Sequence, residues 1–121
     1  MIEINTKKPL QTAILNGENI IKIKDPNFLV ACYIAERCEN NKDNVKNFLN
    51  FAMNAKNKYY SPKSTFKVGI AKGNGTVHRK TVNLTMCANA MGIIDILNNS
   101  HSSIKLGRDE EGNLTGLATL G

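Results

Sequence analysis

Two stretches of the chain alternate between apolar and polar residues, and a short glycine-rich segment separates them. From Thr65 to Lys72 apolar residues alternate with Lys67, Gly69 and Ala71, and within Thr76 to Met86 the apolar Val82, Leu84 and Met86 alternate with polar residues. A period of two is typical of a strand with one buried face, and Gly73-Asn74-Gly75 favours a turn. The pattern therefore predicts a hairpin. Its expected core face comprises Phe66, Val68, Ile70, Val82, Leu84 and Met86.

Apolar residues at helical spacing predict three helices. Asp25-Pro26 provides an N-cap and a first helical residue, and residues 28–35 are apolar nearly all round, which favours a buried helix ending near 37–40. A second helix is predicted from about 41–43 until Ser61-Pro62 blocks it. Its apolar stripe comprises Val45, Phe48, Leu49, Ala52 and Met53. The third helix is predicted from Ala88 to Leu97.

Two further hairpins are predicted near the ends of the chain. Asn16-Gly17 stands between two short apolar runs, 10–15 and 20–24, and Asn-Gly in this position is a strong hairpin signal. In the second run isoleucines alternate with Lys22 and Lys24, so one face is expected to be buried and the other basic. A last hairpin follows, with strands near 104–107 and 114–120 and a turn at 109–113.

The predicted order of elements is ββ-αα-ββ-α-ββ, which defines an α+β class. Strands joined by short turns favour a small antiparallel sheet, and two to three helices are expected to pack on one face of it. A length of 121 residues, 41% of them hydrophobic, predicts a single domain over residues 1–121.

Composition excludes several classes of function. No apolar run is long enough to cross a bilayer, and no signal peptide is recognisable. Three cysteines and two histidines lack the spacing of a zinc site, so no metal and no cofactor are expected. Three reduced thiols favour a cytoplasmic location. Seventeen asparagines and thirteen lysines indicate AT-rich coding, as in a low-GC bacterium or one of its phages or mobile elements.

Charge is distributed unevenly along the chain. The net charge is +6, yet residues 44–94 contain eight lysines and arginines and no aspartate or glutamate. An ordinary surface mixes both signs, whereas a surface of one sign usually serves a partner of the other sign. The middle of the chain is therefore expected to bind an acidic ligand.

Nucleic acid is the leading expectation for that ligand, without enzymatic activity. Lysines bind phosphates, and exposed tyrosines stack on unpaired bases. By strand parity Lys67 and Arg79 share the face opposite the core with Thr81, Asn83 and Thr85. The predicted ligand-binding residues are Lys56, Lys58, Tyr59, Tyr60, Lys63, Lys67, Lys72, Arg79, Lys80 and Asn83.

Two alternatives remain open at this level. An acidic protein surface would suit the same charge, as for a small inhibitor or accessory protein, and a homo-oligomer is compatible with the sequence. A metal-independent ribonuclease toxin would use His78, Arg79 and Lys80, with His78 moving a proton and the cations stabilising phosphorane charge. However, because alternate residues of a strand share a face, His78 is expected on the same face as Lys80 and on the opposite face from Arg79.

Overall fold

The structure is a computed structural model that describes the backbone of residues 2–47, 66–71, 77–82 and 84–121, and the side chains of 2–47 and 85–121. Within those ranges the fold is α+β, with helices packed against a mixed sheet, as the sequence predicted for its class. The elements in chain order are β1 (Ile2–Glu3), α1 (Lys7–Leu15), β2 (Ile20–Lys22), α2 (Pro26–Arg37), α3 (residues 42–47), β3 (Phe66–Ala71), β4 (Val77–Val82), α4 (Leu84–Asn99), β5 (Ile104–Arg108) and β6 (Leu114–Leu120).

Strand β6 organises the described part of the sheet. Ala118 lies opposite both Leu106 of β5 and Ile21 of β2, and Leu114 lies opposite both Arg108 of β5 and Ile70 of β3. Since a residue has one neighbour on each edge, β2 and β3 both lie on the edge of β6 that faces away from β5.

The sheet contains parallel as well as antiparallel pairs. β1 pairs with β2, and β3 with β6, in parallel, whereas the other described pairs are antiparallel. The sequence pattern predicted an antiparallel sheet because it detects hairpins. The two parallel pairs join segments far apart in the chain and leave no turn signal between them.

The first predicted hairpin is wrong in its first arm, because residues 7–15 form helix α1. Leu10 and Ala13 are buried one helical turn apart, and the helix ends at Asn16-Gly17. Gly17 has φ +76°, its N–H donates to Ile14, and the N–H of residue 18 donates to Ala13. This is the Schellman arrangement, in which a glycine in the left-handed region terminates a helix. In this protein Asn16-Gly17 therefore terminates a helix and does not form a hairpin turn.

Helix α2 confirms its prediction in both position and burial. The Asp25 carboxylate accepts a hydrogen bond from the N–H of Phe28 at 3.3 Å, and Pro26 opens the first turn. Seven of its twelve residues are buried, as expected for a helix that is apolar nearly all round. Helix α3 begins where the second predicted helix should, and its Val45 is fully buried.

The central hairpin is confirmed, but its second strand is shorter than predicted. β3 and β4 pair antiparallel from Phe66 opposite Val82 to Ala71 opposite Val77. The predicted continuation of this strand to Met86 is wrong, because helix α4 begins at Leu84. Met86 is buried in the first turn of α4. Its spacing to Ala90 and to residues 93–97 is helical, and this periodicity outweighs the short alternation before it.

The buried residues of the described chain form one hydrophobic cluster. In this cluster, residues of α1, α2 and α4 pack against the inward-facing residues of β2, β5 and β6. Along β6 burial alternates strictly, so one face packs on the helices and the other is exposed. The helices therefore cover a single face of the sheet, as predicted.

Gly116 lies in β6 between the segment that pairs with β2 and the residue that pairs with β3. Its φ is +90°, and a Cβ added there would lie 2.6 Å from the carbonyl oxygen of Ile23. The N–H of Ile23 also donates to the carbonyl of Gly116. Only glycine permits both this backbone conformation and this close approach.

A carboxylate from α2 covers the outer edge of β5. Ser103 and Gly121 exchange backbone hydrogen bonds, so the N–H groups of residues 104 and 106 point away from β6. The Glu36 carboxylate accepts from the N–H of Leu106 at 2.5 Å and lies 3.4 Å from the Arg108 guanidinium. Arg108 also lies over the ring of Tyr33, 5.3 Å from its centroid. Helix α2 and strand β5 are thereby linked by polar as well as apolar contacts.

Glu36→Ala is expected to lower the free energy of unfolding by about 2 kcal/mol, because a charged acceptor is removed and the amide of Leu106 loses its partner. Glu36→Gln keeps one oxygen acceptor for that amide, so it should lower the free energy of unfolding by about half as much. Urea denaturation of both variants measures the difference. Equal stability of Glu36→Ala and the wild type would contradict this role for Glu36.

The three cysteines are buried free thiols. Burial raises the pKa of Cys87 to about 11 and raises the pKa of Cys32 and Cys38. The thiolate is the reactive form of cysteine. At pH 7.5 the native protein should therefore resist a thiol-specific reagent, whereas all three cysteines should react at once in denaturant. A stoichiometric thiol titration tests this, and rapid labelling of a native cysteine would show that its surroundings are more open than described.

Candidate functional site

The exposed face of the sheet is the largest regular surface that the helices leave uncovered in the described chain. Thr115, Leu117 and Thr119 of β6 lie on it, because they alternate with buried residues. Ile20 and Lys22 of β2 and Lys105 of β5 are exposed for the same reason. We call this surface the open face.

Cross-strand pairing brings five of these residues together. Thr119 lies between Lys105 on β5 and Ile20 on β2, and Leu117 lies opposite Lys22. Directly paired residues have Cβ atoms about 5 Å apart, and diagonal neighbours about 7 Å apart. Ile20, Lys22, Lys105, Leu117 and Thr119 therefore form one contiguous group, which we call the basic cluster.

The basic cluster combines charge with exposed aliphatic surface. Ile20 is 49% exposed and Leu117 is 42% exposed. They are diagonal neighbours, with a lysine on the β5 side and a lysine on the β2 side. Apolar surface beside two cations suits a ligand that is anionic and has apolar surface of its own.

Neither lysine of the basic cluster forms an ion pair within the described chain. Its ion pairs join Lys24 to Glu3 at 3.5 Å, Lys42 to Asp95 at 2.8 Å and Arg108 to Glu36. None of them includes Lys22 or Lys105. Glu3 lies opposite Lys22 in the register, but Glu3 is bonded to Asn5 and Lys24.

The electrostatics of Glu3 reflect those contacts. A hydrogen bond from the Asn5 amide at 2.8 Å lowers the pKa of Glu3, and the nearby Lys24 and Lys22 lower it further, while desolvation opposes them. Glu3 therefore remains ionised and engaged at the margin of the open face. Its partner Lys24 is largely exposed.

The central hairpin joins this sheet through one pair, and that pair fixes which of its residues share the open face. Ile70 lies opposite Leu114, which is fully buried on the helix side. The residues that alternate with Ile70 in the pleat therefore belong to the open face. By the register of the hairpin they are Lys67, Gly69, Ala71, Val77, Arg79 and Thr81.

The same register separates residues that the sequence grouped as ligand-binding. Lys80 lies opposite Val68, and His78 lies opposite Ile70, so both belong to the other face from Lys67 and Arg79. His78, Arg79 and Lys80 thus do not share one face, which agrees with the parity argument made from the sequence. Of the predicted ligand-binding residues, Lys67 and Arg79 are the ones that the register assigns to the open face.

Seven of the ten predicted ligand-binding residues lie outside the described residues, and one residue that was expected on the polar face of the hairpin does not join the open face. Thr85 belongs to helix α4, so it is wrong as a residue of the hairpin face. The tyrosine that the structure does describe, Tyr33, lies on α2 beneath Arg108. The residues outside the described ranges are Lys56, Lys58, Tyr59, Tyr60, Lys63, Lys72 and Asn83.

An acidic turn borders the hairpin end of the open face. Asp109, Glu110 and Glu111 precede Asn113 and Leu114, and Leu114 pairs with β3. The Asp109 carboxylate accepts hydrogen bonds from the N–H groups of Glu111 and Asn113, each at 2.9 Å. The acidic turn therefore precedes the start of β6, whereas the basic cluster pairs with residues 117–119 of that strand.

A polar depression of about 390 Å³ lies on the helix side of the molecule, lined by residues 39–43 and Asn98. Its polar groups already bind one another. The Asn98 amide donates to the carbonyl of Asn40 at 2.9 Å, and Lys42 pairs with Asp95. The described residues contain no cluster of three or more histidines, cysteines or acids that could hold a metal ion. This depression offers no chemistry beyond local hydrogen bonding.

Sequence reasoning missed the basic cluster as a site. The alternation of isoleucine and lysine in residues 20–24 predicts one basic face, and residues 104–107 are predicted as a strand. Nothing in the sequence shows that β6 lies between β2 and β5, which is what joins Lys22 to Lys105.

Comparison with known proteins adds no family assignment. No protein-family model, no curated protein and no solved structure matches the chain. Within the described ranges no helix is both long enough and apolar enough to cross a membrane.

Proposed function

We propose that the protein binds nucleic acid through the open face of its sheet. The observation that carries the proposal is the basic cluster, in which Lys22 and Lys105 are exposed and unpaired within the described chain. The described acids lie mostly on the helices, in ion pairs or in the turn at 109–111. A polyanion therefore meets least repulsion at the basic cluster.

The hairpin supports an extension of the same surface. Lys67 and Arg79 belong to the open face by register, together with Thr81. They come from the 44–94 segment, which contains no acidic residue. With Lys22 and Lys105 they provide four cations on one side of one sheet. Lys80 is omitted from this set because the register puts it on the other face.

The residue types favour contact with the sugar–phosphate backbone over reading of the sequence. Lysine is a point charge that binds phosphate without fixed geometry, whereas arginine is the better bidentate reader of guanine. Threonine hydroxyls at 115 and 119 can donate to phosphate or sugar oxygens. The proposal is therefore binding with little sequence preference.

A binding role without catalysis and a cytoplasmic location complete the proposal. His78 and Arg79 belong to opposite faces of the hairpin, so the cations of the open face lack a histidine beside them. The three buried cysteines are unbridged, which suits a reducing compartment that also contains nucleic acid.

The test is the salt dependence of binding to fluorescent DNA and RNA oligonucleotides, measured by anisotropy between 50 and 200 mM salt. Four phosphate contacts predict a log–log slope of about −3 and a loss of affinity of about 50-fold over that range. A flat salt dependence, or no binding at 50 mM salt, would refute the proposal because phosphate contacts must release counterions.

A further inference from the structure

We infer that the ligand of the basic cluster is single-stranded, with its phosphates on Lys22 and Lys105 and its bases against Ile20 and Leu117. This inference rests on the proposed function and specifies the form of nucleic acid that the open face takes. The two aliphatic residues lead to it, because charge alone does not explain why they are exposed beside the lysines.

A duplex would leave the aliphatic pair without a partner. Its bases are stacked inside, and its outer surface consists of sugars and phosphates. The major groove is about 12 Å wide and admits a helix or a two-stranded ribbon. The basic cluster instead lies on the broad face of a sheet, within three adjacent strands, where short side chains cannot reach base edges at the bottom of a groove.

A single strand satisfies both parts of the cluster at once. Its unstacked bases expose apolar faces on one side of a charged backbone. Leu117 lies on β6, between the strands that carry the two lysines, and Ile20 lies two residues before Lys22 on β2, so a backbone that passes over Lys105 and Lys22 can turn its bases onto the aliphatic pair. Thr119, in the middle of the cluster, adds a hydroxyl within reach of a sugar or a base edge. Aliphatic contacts do not distinguish one base from another, which agrees with weak sequence preference.

The experiment compares two probes with equal numbers of phosphates, a 20-nucleotide oligothymidylate and a 20-nucleotide hairpin that folds into a duplex. Wild-type protein should bind the oligothymidylate at least about 10-fold more tightly at the same salt concentration, since only that probe covers the aliphatic pair. The double variant I20T/L117T keeps every charge and places threonine, a β-branched residue that favours strands, at both positions. It should remove most of that preference and leave the affinity for the hairpin within about twofold.

Leu15→Thr is the matched control, because Leu15 is 77% exposed at the end of α1, away from the open face. It should leave both affinities unchanged. Urea midpoints of the variants verify that the fold is kept, as expected for exposed positions.

The outcomes separate this inference from the proposed function. Equal, salt-dependent binding of both probes, or equal losses in I20T/L117T, would overturn the single-strand inference and leave nucleic-acid binding intact. Binding of neither probe would overturn both. Displacement of the oligothymidylate by polyglutamate at equal charge concentration would also overturn the inference, because the surface would then recognise charge alone, as for an acidic protein partner.

Discussion

Gly116→Ala is expected to lower the free energy of unfolding by about 3 kcal/mol or more, the largest effect of any single substitution considered for this protein. An alanine at φ +90° is strained by about 1 kcal/mol or more. Its Cβ would also lie 2.6 Å from the carbonyl oxygen of Ile23, which is main chain and cannot rotate away. β2 would have to separate from β6, and the hydrogen bond from Ile23 to Gly116 would be lost. Urea denaturation measures the loss.

Gly112→Ala is the matched control for this prediction. Gly112 has nearly the same backbone conformation, φ +85°, but nothing lies within 4 Å of an added Cβ. Gly112→Ala should therefore lower the free energy of unfolding by about 1 kcal/mol, because only the backbone strain of alanine at positive φ contributes. If the two variants lost equal stability, the close approach of Ile23 to Gly116 would have no energetic weight. The description of the β2–β6 contact would then need revision.

The double variant K22Q/K105Q is expected to weaken binding to oligonucleotides on the order of 50-fold at 50 mM salt. Each lost phosphate contact reduces the log–log salt slope by about 0.7 for single strands, so the slope should become shallower by about 1.4. Both residues are exposed on the open face and form no described ion pair, so the fold should be unaffected. Anisotropy titrations over a salt series give affinity and slope together.

The control for net charge is K8Q/K46Q, which removes two exposed lysines from helices α1 and α3. The total charge changes equally, but neither residue lies on the open face. Its affinity should stay within about threefold of the wild type, with an unchanged slope. If both double variants lost affinity equally, binding would depend on net charge and the basic cluster would not be the site.

The fold class followed from the sequence because most elements carry their own local signal. Helix α2 has its N-cap at Asp25 and proline in its first turn, and the two strands of the central hairpin flank a glycine-rich stretch of sequence. Such signals act within a few residues and do not depend on tertiary structure. Element type was therefore predictable in these segments.

Residues 10–17 show where local signals fail. Leu10, Ala13 and Ile14 have helical spacing, but Asn16-Gly17 is compatible with either a hairpin turn or a helix end. Both structures require a residue in the left-handed backbone conformation, with positive φ. Tertiary packing favours the helix over the hairpin. Leu10 and Ala13 are buried together in the core, whereas a strand would have turned them to opposite faces.

The site was only partly predictable for a similar reason. Parity within a hairpin separates Lys67 and Arg79 from Lys80, and the register agrees with it. The partnership of Lys22 with Lys105 depends on which strands flank β6. Strand order is a property of the whole sheet, and no spacing in the sequence encodes it.

The carboxylate that caps the outer edge of β5 has a consequence for self-association. An uncapped edge strand is a template on which another chain can extend the sheet, the first step toward fibrils. A second molecule approaching β5 would first have to displace Glu36 from the amide of Leu106. Glu36 thus occupies a backbone donor to which a second strand would have to bind in order to extend the sheet at β5.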